Sequence, residues 1–235
     1  MMSPDHAEVV NDFAAFGVTA FTTTRAFGTV SAASNEPASA VMQRWDAVRD
    51  MARAAGIERF ATAHQVHGSN VIAHDAGWRG WLRAPDADGH FAPGPDTALG
   101  VSVADCVPVF IAHASGATAL LHSGWRGTEA RIVERGIGAF TQRGLAASEL
   151  RVHLGPAICG ACYEVSADVA SRLFGRTVPL PTPVDLRALI ADHARSLGVR
   201  EITASARCTK CDNDRFFSHR AGDIGRQLSV IYARA

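Results

Sequence analysis

The sequence predicts an α+β fold: strands and helices gathered into one domain, without the strict strand–helix alternation of a doubly wound sheet. Three observations carry this. Short apolar runs of strand length, VPVFIA and ATALL among them, recur between turn residues. Two longer stretches, 38–55 and 128–142, repeat their apolar residues at helical spacing. No repeat is visible, and no linker is long enough to divide the 235 residues, a length that can bury a sizeable core.

Residues 1–17 read as a poorly specified N-terminal leader and 18–235 as the domain. VTAFTTT (18–24) is rich in β-formers, and a loop of small residues follows over 25–34. Pro37 opens a helix over 38–55 with Val41, Trp45, Val48, Met51 and Ala52 on one face, and Gly56 closes it. Residues 60–73 read as a strand pair, or one bent strand, through His67-Gly68. From Trp78 to Pro95 the chain is rich in Gly, Pro and Asp, which predicts a surface loop. Strands are expected at 97–103, 106–112 and 117–122, the last two forming a hairpin across His113-Ala114-Ser115-Gly116. The helix over 128–142 carries Ile132, Val133, Ile137 and Phe140. A strand at 150–154, helices near 166–174 and 184–197, and strands near 200–206 and 227–233 complete the chain.

Lys plus Arg and Asp plus Glu balance at 23 each, which argues against a broad nucleic-acid surface. No apolar run approaches the ~20 residues that span a bilayer. The first residues lack the basic region and apolar core of a signal peptide. Five cysteines in such a chain are expected as reduced thiols, metal ligands or a nucleophile, and the expected compartment is the cytoplasm.

Chemistry concentrates between Val103 and Thr128. Cys106 and His122 stand at the ends of the apolar hairpin, and a third donor, His67, lies upstream in Gln65-Val66-His67-Gly68. One soft thiolate and two imidazoles form a zinc set that leaves a fourth position for water or substrate. Each residue alone has a plainer reading: His122 as a hydrogen-bonded core histidine, Cys106 as a small buried hydrophobe, His67 as a turn residue. Arg126, just before a helix, can grip an anion through two bonds. Asp105 precedes Cys106 within an apolar segment, a placement that packing explains poorly. It can orient a ligand histidine or act as a general base.

Five segments, QVHG (65–68), ADCVPV (104–109), HSGWRGT (122–128), LGPAICGACYEV (154–165) and FFSHRAGDIGR (216–226), resemble in content and order those of the laccase-domain family. These proteins are also called multicopper polyphenol oxidases and are now read as purine nucleoside phosphorylases. The resemblance implies one zinc per chain bound by His67, Cys106 and His122. It also implies a compact α/β/α arrangement of mixed sheets flanked by helices, similar to the catalytic domain of the cytotoxic necrotising toxins. The implied reaction is phosphate-dependent cleavage of adenosine or inosine to free base and ribose 1-phosphate, with adenosine deamination as a side activity. Arg126 and Arg25 are then the phosphate candidates, and Asp88 and Asp105 the acid–base candidates. The chain departs from the family in the Thr24–Ser31 loop, in Asp88–Ala92 and at His219.

Two alternatives stand beside this reading. One is a cysteine hydrolase or amidase with Cys106 as nucleophile and His122 as its base. The other is copper-dependent phenol oxidation, which is disfavoured because the chain has no HxH pair. Cys159-Gly-Ala-Cys162 and Cys208-Thr-Lys-Cys211 together mimic a four-cysteine zinc signature. Their gap of about 45 residues exceeds the usual ~15–20, so reduced thiols without a second metal are expected there.

Overall fold

The architecture follows from strands that are apolar on both faces. A computed structural model describes residues 3–234; residues 1, 2 and 235, the ends of the two segments drawn from the sequence, lie outside the described residues. Strand β1 (Ala7–Val9) leads through a 3-10 turn, Asn11–Phe16, into β2 (Val18–Thr23). Then come α1 (Ala38–Ala54), β3 (Arg59–Ala63), β4 (Val71–Ala73), β5 (Gly80–Ala84), β6 (Gly89–Ala92) and β7 (Thr97–Val103). A hairpin of β8 (Val107–Ala112) and β9 (Thr118–Ser123) precedes α2 (Trp125–Glu129) and α3 (Ile132–Thr141). Next are β10 (Arg151–Leu154), β11 (Glu164–Val165), α4 (Ala167–Phe174) and β12 (Thr182–Pro183). The chain finishes with α5 (Leu186–Ser196), β13 (Glu201–Ala204) and β14 (Gln227–Ala233).

Two six-stranded mixed sheets result, ordered β1-β2-β14-β7-β3-β5 and β13-β10-β8-β9-β6-β4, with β11 and β12 as a separate pair. Alternation along β7 shows how they stack. Leu99, Val101 and Val103 join Phe110, Leu120 and Ile231 in one core between the sheets, while Ala98 joins Phe60, Val48 and Tyr232 on the α1 side. Val109, Ile111 and Leu121 face the other way, onto Ile132 and Phe140 of α3 and Ile190 of α5. The mixed sheets flanked by helices are therefore as expected, but the central layer is double: α/β/β/α rather than α/β/α. Every residue of β8 and β9 is buried, because both faces of their sheet are covered. Each fully buried Leu, Ile or Phe there contributes about 1.5–3 kcal/mol relative to exposure.

Four expectations need correcting. Residues 3–17 do not stand apart as a leader: β1 pairs antiparallel with β2, and Phe13 is fully buried between the sheets. The 60–73 segment is two strands in different sheets, separated by the His67 turn. The supposed surface loop 78–95 contains β5 and β6, with Asp88, His90 and Phe91 fully buried. Its glycine misled because Gly89 marks close packing: a Cβ there would meet Val71 Cγ2 at 2.7 Å and Leu121 Cδ2 at 2.8 Å. Finally, the 128–142 helix is α2 and α3, broken where Arg131 adopts left-handed backbone at φ 57°. Among the described residues, no helix is long and apolar enough to cross a membrane.

Candidate metal centre

Three connections carry the chain from the first sheet to the second, residues 64–70, 85–88 and 104–106. Each delivers one polar residue to a common point: His67, Asp88 and Cys106. His122, at the end of β9, meets them there. The ligating atoms of His67, Cys106 and His122 all lie within 4.8 Å of one another. Pro108 pairs with His122 across the hairpin, so Cys106 falls diagonally beside it on the same face.

The QVHG turn is held residue by residue. Gln65 hooks β7, donating to the Ser102 carbonyl and accepting from its N–H, both at 2.8 Å. The N–H groups of Val66, His67 and Gly68 donate to the Asp88 carboxylate at 3.1, 2.9 and 2.7 Å. These bonds hold His67 at φ 59°, a conformation that costs a non-glycine residue roughly 1–2 kcal/mol. His64, one residue before Gln65, pairs with Asp86 and stays out of the set.

In HSGWRGT, His122 Nδ1 donates to Asp88 at 2.8 Å, which turns Nε2 toward Cys106 and His67. Gly124 is required by the thiol: a Cβ there would meet Cys106 Sγ at 2.8 Å. Trp125 opens α2 and carries the Arg126 guanidinium 4.4 Å from its ring centre. Arg126 itself is exposed.

Charge is balanced within the set. Burial pushes the Cys106 thiol up, but the His122 imidazolium and a bond from His67 bring it down to about 6. Burial likewise opposes the His122 cation, yet the Cys106 thiolate and Asp88 raise it to about 9. Burial alone would raise Asp88; the His122 bond and the N–H groups of Gly68 and Val66 hold it below the usual carboxylate range. A thiolate and two imidazoles with one open side fit a single tetrahedral ion such as zinc.

The remaining predicted residues are rearranged. Asp88 is fully buried and accepts four bonds, three from the backbone N–H groups of the His67 turn and one from the His122 ring, so it positions the turn and orients the His122 imidazole. Asp105 touches neither histidine. It accepts from Thr209 Oγ1 at 2.6 Å and from the Arg220 N–H at 2.7 Å, which anchors the 209–220 segment beside Cys106. Arg25 binds Asp223 at 2.7 Å and the carbonyls of Asn213 and Phe216.

Two residues escaped the sequence reading. Tyr163 lies in the field of Cys106, Asp105, Arg220 and Arg126, and burial together with the Cys106 charge pushes its phenol up to about 12. Arg220 lies over the Tyr163 ring at 4.9 Å. Both belong to the family-like segments, which was the available signal. A cleft of about 320 Å³ lined by Phe21, Met51 and Tyr232 lies elsewhere and contains none of these groups.

A family model described as multi-copper polyphenol oxidoreductase laccase matches residues 20–234. The chain belongs to this family. This laccase-family chain is 36% identical over 182 residues to purine nucleoside phosphorylase Rv2149c of Mycobacterium tuberculosis, covering 74% of this chain and 72% of the relative. It is 34% identical over 202 residues to purine nucleoside phosphorylase YlmD of Geobacillus stearothermophilus, covering 76% and 73%. The crystal structure of YlmD superposes with a TM-score of 0.82 at 26% identity over 99% of this chain and 94% of that one. YfiH of Bacillus licheniformis matches in fold, with a TM-score of 0.85 at 22% identity over 99% and 98%.

Proposed function

We propose that this chain is a zinc-dependent purine nucleoside phosphorylase acting on adenosine and inosine, with adenosine deamination as a side activity. The observation that carries the proposal is the set of His67, Cys106 and His122, with donors within 4.8 Å and Asp88 bound to the His67 backbone N–H and the His122 ring. The phosphorylase names of its relatives support the reaction class.

Zinc, which His67, Cys106 and His122 would hold, would supply Lewis acidity beside these side chains. The rest is done by the chain's own side chains. Arg220 lies over the Tyr163 ring and Arg126 over that of Trp125, and these two planar guanidinium groups are the phosphate candidates. In phosphorolysis a phosphate oxygen bonds to C1′ while the C1′–N9 bond breaks, and the purine leaves with the bonding pair. The Tyr163 phenol, protonated across the neutral range, donates a hydrogen bond to the departing base.

The test is product analysis of purified protein with adenosine or inosine, with and without phosphate and with and without chelator. Free base and ribose 1-phosphate are expected only with phosphate, and are lost on chelation. Arg126→Lys should reduce base release more than ammonia release, because lysine keeps the charge but loses the two-bond fork. Equal loss of both would remove Arg126 from the phosphate role.

One observation favours a second reading. Cys106 and His122 bring their reactive atoms within 4.8 Å, where the imidazolium lowers the thiol and the thiolate raises the imidazole, a pair suited to a cysteine hydrolase. Such an enzyme would survive chelator and be abolished by alkylation of Cys106. Copper oxidase chemistry fits poorly, because the chain's ten histidines include no HxH pair.

A further inference from the structure

We infer that Cys159, Cys162, Cys208 and Cys211 form a second, structural zinc site that braces the catalytic centre through Asp105. The sulfur atoms of these four residues, distant in sequence, all lie within 4.8 Å of one another. The sequence spacing argued against such a site; the topology removes the objection. Strands β10 and β13 are parallel neighbours, with Leu154 beside Ala204, so the chain leaves both at the same edge and in the same direction. A parallel bridge between Ala157 and Cys208 continues the pairing, with the Thr209 N–H donating to the Ala157 carbonyl at 3.2 Å. The two CxxC turns therefore face each other although α4 and α5 intervene.

The local geometry is that of ligands. Four sulfurs at about 2.3 Å from one tetrahedral ion stand about 3.8 Å apart, and Cys162 and Cys211 are already at 3.4 Å. Cys208 Sγ accepts the backbone N–H groups of Cys159 at 3.3 Å and Cys211 at 3.4 Å, bonds that favour the thiolate. An all-thiolate set of four selects zinc over hard cations and leaves no position for substrate, which makes the site structural.

Its connection to the first centre is direct. Thr209, inside the second CxxC, donates to Asp105 Oδ1 at 2.6 Å. Ile158, next to Cys159, donates its N–H to the Asp105 carbonyl at 3.1 Å. Asp105 stands at φ 84° immediately before Cys106. Both cysteine turns thus hold the strained residue that aims the thiolate ligand.

The test is elemental analysis of the full chain purified under reducing conditions, with thiol counting. His67→Ala/His122→Ala should retain one zinc, which separates this site from the first whatever its reaction. Cys162→Ser/Cys211→Ser should lose one zinc relative to wild type and melt several degrees lower. Should that variant fail to fold, the His67→Ala/His122→Ala protein still decides. There, Cys159, Cys162, Cys208 and Cys211 should resist alkylation until chelator is added. No zinc in that protein, free alkylation of all four thiols, bound iron, or a Cys162–Cys211 disulfide in the freshly purified chain would each overturn the inference.

Discussion

Asp88 carries more of the site than any ligand does, because one carboxylate fixes three backbone N–H groups and the His122 ring. Asp88→Asn keeps the shape but turns an amide NH2 toward donors that need an acceptor. Zinc affinity should fall about 10–100-fold, as for other lost partners of ligand histidines, measured by competition with a chromogenic chelator. Affinity within twofold of wild type would dismiss the orienting role. Gly124→Ala tests the thiolate, since the new methyl would overlap Cys106 Sγ at 2.8 Å. The variant should melt close to wild type at matched zinc occupancy of the cysteine tetrad but bind less metal at His67, Cys106 and His122. Full metal content with unchanged affinity would show that the helix shifts to make room.

At the scale of elements, β6 carries His90, in the stretch expected as a loop, paired with His74 just past the end of β4. His90 Nδ1 and His74 Nε2 are 2.9 Å apart. Burial, then the neighbouring His74, lowers His90 to about 3; burial, then Arg59, lowers His74 to about 4. Both stay neutral in the folded chain while the unfolded chain protonates them near 6.5. Between those values the unfolded state binds more protons, so stability is fully present above pH 6.5 and drains away as pH falls toward 4. Urea midpoints should therefore drop from pH 7 to pH 5. His90→Leu should show a shallower drop than wild type over the same range. Parallel curves would mean that other groups control the acid limb.

On the scale of the whole molecule, the proposed metal set spans crossings between two sheets, so an ion bound there would be linked to folding. His67 lies between β3 and β4, and Cys106 between β7 and β8, each connecting the first sheet to the second. Free zinc at a hundred times its dissociation constant for a native site stabilises by about 2.7 kcal/mol. For a chain of this size that is a rise of several degrees, at roughly 2–4 °C per kcal/mol. His67→Ala should abolish the increment contributed by this site in a melting series against free zinc. An identical zinc dependence in wild type and variant would break the link.

Periodicity and composition made β7, β8, β9, α1 and β14 legible, because a strand or helix buried by its own pattern needs no distant information. Residue type and position also nominated His67, Cys106, His122 and Arg126, and the family-like segments joined the first three into one zinc set. What failed was whatever depended on partners far along the chain. Asp88 looked like a loop acid because nothing near it in sequence shows the three N–H groups that saturate it. That Arg25 bonds Asp223 could not be read, because the two are almost two hundred residues apart. Gly89 looked like a turn because a close approach by Val71 and Leu121 leaves no local mark. The cysteine pairs looked too far apart because spacing along the chain does not record that β10 and β13 run side by side. The sequence alone determined the strands and helices whose own pattern buries them, and the donor types; sheet pairing decided which donors meet, since hydrogen-bond register between distant strands sets their distances in space.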